Sequence, residues 1–151
     1  KAGKTRISAA FKVDNAACAS FSANAKDICV EQAKATEKVA RAELEYSYTA
    51  KPIDQNKLLV AMAESSYAVA KEKCDDKAGN SKDVCVQEAK AEETKALADA
   101  KLGQQIGAAR TDAVDAKRDA DFKVATEKCD VLAGDAKSAC IADAKTRFGK
   151  T

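Results

Sequence analysis

The chain has 151 residues, with 26 Lys and Arg against 24 Asp and Glu, a formal charge of +2, a single Pro, no Trp and no His. That length suits one domain or one repeat array, and charges of both signs interspersed along it leave no basic face to steer a nucleic acid. No apolar run approaches the roughly 20 residues that span a bilayer, and without His any Ser-His-Asp or Cys-His arrangement is excluded.

Abundant Ala, with Lys and Arg together nearly balanced by Asp and Glu and few aromatics, is a helix-forming composition. Sliding the sequence against itself reveals three copies of one unit. They read FKVDNAACASFSANAKDICVEQAKA from Phe11, YAVAKEKCDDKAGNSKDVCVQEAKA from Tyr67 and FKVATEKCDVLAGDAKSACIADAKT from Phe122, spaced by 56 and 55 residues. Every copy has an aromatic seven residues before its first Cys, a Val two residues after that aromatic, and an Ala four residues after its second Cys.

In chain order, the first copy predicts a helix into Cys18, a turn at Ser22, Ala23 and Asn24, and a helix onward through Cys29. Pro52 is the one hard stop, and KPID reads as the start of the next helix. On that helix Leu59 or Val60, Ala63, Tyr67, Ala70 and Cys74 recur at three- and four-residue steps, which is one helical face. A second turn follows at Ala78, Gly79 and Asn80, and Cys85 and Ala89 begin the matching face of the helix after it. LGQQIG, with Gly103 and Gly107, is a place where the helix bends, breaks or continues. If it continues, residues 81–132 form one helix on the order of 75 Å long. The third turn is Ala133, Gly134 and Asp135. Gly past a helix end supplies a left-handed residue, and Asn24, Asn80 or Asp135 after it can cap the next helix. Asp27 and Asp83, three residues after Asn24 and Asn80, resemble the partner of a capping box. Ala23, standing where Gly is easier, predicts the least comfortable turn.

Cys18 and Cys29, Cys74 and Cys85, and Cys129 and Cys140 are each eleven positions apart, placed symmetrically about the turns. In an antiparallel hairpin this sets the two sulfurs level on facing helices, as a disulfide requires. Six cysteines allow fifteen pairings, and the repeat symmetry selects the local one. The Ala one turn beyond each second Cys (Ala33, Ala89, Ala144) lets the helices approach, and a bridge closing so short a loop contributes about 3 kcal/mol on an entropic account. Zinc sites use closer Cys spacings or His, and a soft ion such as Cu(I) needs the thiols reduced. No CxxC redox motif occurs. The six cysteines are therefore structural disulfides, and no metal or cofactor is expected.

No catalytic residue is expected either. The carboxylates lie among Lys and Arg, as in Glu37 with Arg41, Asp119 with Lys123 and Asp143 with Arg147, where surface helix pairing explains them. The glycines form no phosphate-cradling loop. Phe11, Tyr67 and Phe122 share the helical face of the nearby Cys and are read as core, and Tyr46, Tyr48 and Pro52 as hinge packing between units. Sparse bulky anchors argue against a helix lying on a membrane surface.

The phrases EKCDDKAGNSKDVC and EKCDVLAGDAKSAC resemble those in a set of small, Ala- and Lys-rich exported proteins of Gram-negative bacteria, which implies a cell-envelope location and no particular activity. The paired-Cys hairpin is also similar in outline to the twin-Cys helical proteins of the mitochondrial intermembrane space, but carries one bridge instead of two.

The expected fold is all-α: a single domain, elongated, an antiparallel helical bundle or array of three hairpins, about 1–50, 53–103 and 107–148, each with one disulfide. Lys1 is read as a processed N-terminus left by a removed signal peptide, with the protein periplasmic or extracellular. The expected role is a non-enzymatic structural or interaction protein that partners other protein helices, including copies of itself in a coiled-coil manner. The alternative is a ligand- or soft-metal-binding module in envelope stress.

Overall fold

A computed structural model describes residues 2–150, so Lys1, and with it the expected processed N-terminus, lies outside the described residues, as does Thr151. The described residues form five α-helices and no strand: α1 (Ala2–Ala17), α2 (Ala23–Thr49), α3 (Pro52–Cys74), α4 (Gly79–Cys129) and α5 (Gly134–Phe148), with a 3-10 turn at Cys18–Ser20. The all-α, hairpin-repeat expectation holds. Helix α4 runs unbroken through Gly103 and Gly107.

The three hairpin tips share one construction. The amide three residues after the first cysteine donates back to that cysteine's carbonyl, from Phe21 to Cys18, Lys77 to Cys74 and Leu132 to Cys129, at 3.1, 3.0 and 3.0 Å. The chain then enters the second helix through a left-handed residue: Ala23 at φ +48°, Gly79 at +54° and Gly134 at +60°. Only Ala23 carries a Cβ into that region, which L-residues avoid because Cβ crowds the following carbonyl.

Two details differ from the sequence reading. The first helix of each hairpin ends at its first cysteine or one residue before it, and the left-handed residue opens the second helix instead of closing the first. Because of that shift, Ser22 and Ala133 occupy the N-cap positions of α2 and α5, and neither helix has a side-chain cap hydrogen bond. Asn24 therefore does not cap α2. Asp135 sits in the first turn of α5, where a negative charge favours the helix N-terminus.

The chain packs as two compact units, Lys1–Gln104 and Gln105–Thr151, where the repeat pattern predicts one domain of three hairpins. In the first unit α1 packs on α2, and α2 on α3. Between α2 and α3 the chain reverses at Ala50, left-handed at φ +50°, whose amide donates to the Tyr46 carbonyl at 2.8 Å. Lys51 is extended, as a residue before proline prefers, and Pro52 opens α3, where its missing N–H costs no helical bond. The following stretch of α4 joins α3 through the Cys74–Cys85 bridge, through Lys90 Nζ 4.9 Å above the Tyr67 ring, and through Asn56 donating to Gln104 at 3.3 Å.

Small residues make this core. Ala33, Ala61, Ala63 and Ala100 are buried with Cys18 and Cys74, so helices meet at alanines and little apolar area per residue leaves water. Gly3 belongs to the same design: a Cβ there lies 2.9 Å from Leu44 Cδ1. In the second unit the apolar contacts are fewer still, with Cys129 and Ala144 buried and Phe122 set edge-on to Phe148, centroids 6.2 Å apart. Cross-linking compensates for what burial cannot supply.

Candidate interaction site

The three predicted disulfides are formed, with Cα separations of 5.5 Å for Cys18–Cys29, 5.7 Å for Cys74–Cys85 and 5.8 Å for Cys129–Cys140. In each, the first sulfur-bearing residue is fully buried and the second half-buried. Of the close-approach alanines, Ala33 and Ala144 are buried and Ala89 half-buried. No cysteine is free, and among the described residues no group of three or more His, Cys, Asp or Glu gathers as a metal site.

Polar chemistry around the tips follows the repeat in two copies. Lys82 pairs with Asp75 at 2.8 Å and Lys137 with Asp130 at 3.0 Å, at matching positions. The first copy has Ala19 in place of that Asp. Its tip instead uses Asn24, whose Nδ2 donates across to the Glu72 carbonyl at 3.0 Å and to Asp76 Oδ1 at 2.8 Å, joining the first two tips. Asn80 and Asp135 are exposed.

At the opposite end of the first unit lies a charged cluster that periodicity did not single out. Asp54 is 4% exposed. It accepts hydrogen bonds from Lys57 at 2.7 Å and Thr49 at 2.8 Å, and these hold its carboxyl below the usual range against the opposing effect of burial. The same contact raises Lys57. Tyr46 is half-buried beside this turn and Tyr48 exposed. Glu93, also buried, is held by Lys90 at 2.6 Å, which raises the Lys90 pKa.

Of the surface pairs expected on helices, Glu37–Arg41 forms at 2.6 Å. Asp119 takes Lys150 as its partner, a hydrogen bond that lowers its pKa, and Arg147 lies over the Phe148 ring.

Helix α3 is flanked by two sets of grooves. One of about 580 Å³ lies between α2 and α3, lined by Val39, Met62, Ser65 and Val69 among others. Two more, of about 330 and 460 Å³, lie between α3 and residues 89–100 of α4, with Ala63, Ser66 and Ala96 shared by both. The linings mix alanines and hydroxyls with charged side chains, Glu43 and Lys73 in the first groove and Glu92, Glu93 and Asp99 in the other two. Ser65 Oγ is buried without a hydrogen-bond partner in the described structure. Large apolar side chains stay exposed on several helices, Met62 at 50% on α3 and Val84 at 47% and Leu102 at 54% on α4 among them. Among the described residues no helix is long and apolar enough to cross a membrane.

Compared with protein-family models, curated proteins and solved structures, the chain finds no match.

Proposed function

We propose that the protein is a non-enzymatic structural or interaction protein of the periplasm or cell surface, and that it self-associates by helix packing. The observation that carries this reading is the apolar surface left uncovered on α4, including Val84 and Leu102. Side chains of this kind gain about 25 cal/mol per Å² when another helix covers them. Three disulfides in so small a protein support an oxidising compartment, and the resemblance to exported proteins of Gram-negative bacteria agrees with it. Sedimentation velocity of the oxidised protein over a wide concentration range tests the association: mass rising from 15.9 kDa supports it, and a monomer at every concentration overturns it.

The second reading, a ligand-binding module in envelope stress, is favoured by the α2–α3 groove, whose volume lies in the range of small-molecule pockets and whose wall includes the unpaired Ser65 hydroxyl. Its sign is a melting temperature that rises with an added small molecule. A soft metal ion requires reduced tips, so for that variant the rise appears only after reduction.

A further inference from the structure

The two boundaries between hairpins differ. At the first, the chain turns at Ala50 and Pro52 and α3 returns along α2, with Lys38 paired to Glu64 at 2.5 Å and Thr49 bonded to Asp54 at 2.8 Å. At the second, α4 does not turn. The cysteines carry one boundary onto the other, since Cys29 matches Cys85 and Cys74 matches Cys129.

The seam at the first boundary is made of small residues. Ala61 and Ser65, each 6% exposed, lie on the side of α3 between Met62, which lines the α2–α3 groove, and Glu64, which pairs with α2. On α2, Ala35 and Ala42 stand three residues before and four after Lys38, on the same face. By helical spacing Ile28, Ala35, Ala42 and Tyr46 share the face of α2 from which Ala35 lines the α2–α3 groove, and these positions become Val84, Ala91, Ala98 and Leu102 in α4. Those of α3 (Asp54, Leu58, Ala61, Ser65) become Ala109, Ala113, Ala116 and Ala120. All eight residues of α4 are exposed. Their spacings of three, four and seven make each set a single stripe.

We infer that a second copy of the chain covers these stripes. The stripe from Val84 to Leu102 of one copy lies antiparallel on the stripe from Ala109 to Ala120 of the other. The inference rests on the self-association reading and assigns its surface. It repeats between chains the contact that α2 and α3 make within one chain. The Thr49–Asp54 bond fixes an antiparallel register that sets Ala42 level with Ala61; carried over, it sets Gln105 level with Ala109 and Ala98 level with Ala116. On the flanks this register sets Lys101 beside Asp112 of the other copy, and Asp99 beside Lys117. None of these four residues forms an ion pair within the chain among the described residues, whereas their neighbours Lys95, Arg118 and Asp119 do.

Sedimentation of the full oxidised chain tests the surface. Ala98→Glu or Ala116→Glu buries an unpaired charge in the seam and is expected to weaken the dimer at least about 100-fold. Met62→Glu, on the exposed face of α3, is expected to leave it unchanged. Asp112→Lys is expected to weaken the dimer, and Lys101→Glu added to it to restore it. Circular dichroism showing unchanged helix content keeps these readings separate from misfolding, and the charge-swapped pair stands even if a seam variant fails to fold. A dimer indifferent to Ala98→Glu and Ala116→Glu, or abolished by Met62→Glu, overturns the α4 surface while leaving self-association intact. A wild-type chain that never dimerises overturns both.

Discussion

The side-chain amide of Asn24, at the tip of the first hairpin, donates to the carbonyl of Glu72 in the last turn of α3, 3.0 Å away and 48 residues along the chain. It is a second donor to a helix-end carbonyl that also accepts the Asp75 amide at 3.1 Å, where carbonyls lack the usual partner one turn on. Replacing Asn24 by Ala is expected to cost about 1 kcal/mol, read as a lower urea midpoint with unchanged slope. Asn80→Ala is expected to cost less. Equal losses would mean that both residues act locally, by capping, and that the cross-tip bond is incidental.

Ala23 occupies the left-handed position that Gly79 and Gly134 hold in the other tips. Ala23→Gly is expected to stabilise the chain by about 1 kcal/mol, the cost of a Cβ in that region, although the freer unfolded glycine offsets part of it. Gly79→Ala and Gly134→Ala are expected to destabilise by a similar amount. Thermal unfolding of the three variants checks the sign, and a destabilised Ala23→Gly refutes the strain assigned to this turn.

Gly103 and Gly107 are the opposite case. They lie inside α4 without positive φ, and no atom stands within 4 Å of a Cβ built at either position. Alanine at each is expected to stabilise the helix by about 0.8–1 kcal/mol. An unchanged or lowered midpoint shows that something other than helix propensity holds glycine there.

The second unit depends most on its bridge, since its remaining apolar contacts centre on Phe122, Phe148 and Ala144. Removing both Cys129 and Cys140, as Cys129→Ala with Cys140→Ala, is expected to cost about 3 kcal/mol and to speed amide exchange in α5 while α2 and α3 keep their protection. Exchange that rises equally in α2 indicates that the two units unfold as one.

Asp54 sets an acid limb of stability. Thr49 and Lys57 favour its ionised form in the folded chain, so its folded pKa lies below the ordinary 3.8. Its contribution is therefore present above pH 3.8 and is lost as the pH falls through the lower folded value. Lys57 acts with the opposite sign at the alkaline end: its raised folded pKa means that its contribution is complete below 10.5 and is lost as the pH rises through the higher folded value. Asp54→Asn is expected to flatten the acid limb of a melting-temperature profile between pH 2 and 5, to which other carboxylates also contribute. A profile parallel to the wild type assigns the acid sensitivity elsewhere.

What the sequence determined by itself is local and repeated. Eleven-residue cysteine spacing about a turn leaves one pairing that suits all three copies, and a hairpin closes within about fifteen residues, so its geometry is written in its own turn chemistry. Gly79 and Gly134, and the awkward Ala23, were legible for that reason, because backbone conformation at a turn depends on a few neighbouring atoms. Tertiary structure decided the rest. Alanine fits a buried seam and a solvated face equally, so nothing in the pattern separates Ala61, at 6% exposure, from the exposed Ala116 at the equivalent place. A glycine pair inside a helical stretch permits a turn or a continuation at nearly equal cost, and only the fold shows α4 passing through LGQQIG while the chain reverses at Pro52. Asn24 reaching Glu72, and Asp54 sinking beneath Thr49 and Lys57, depend on how α2 and α3 lie against each other, a relation set by packing and not by the spacing of residues along one helix.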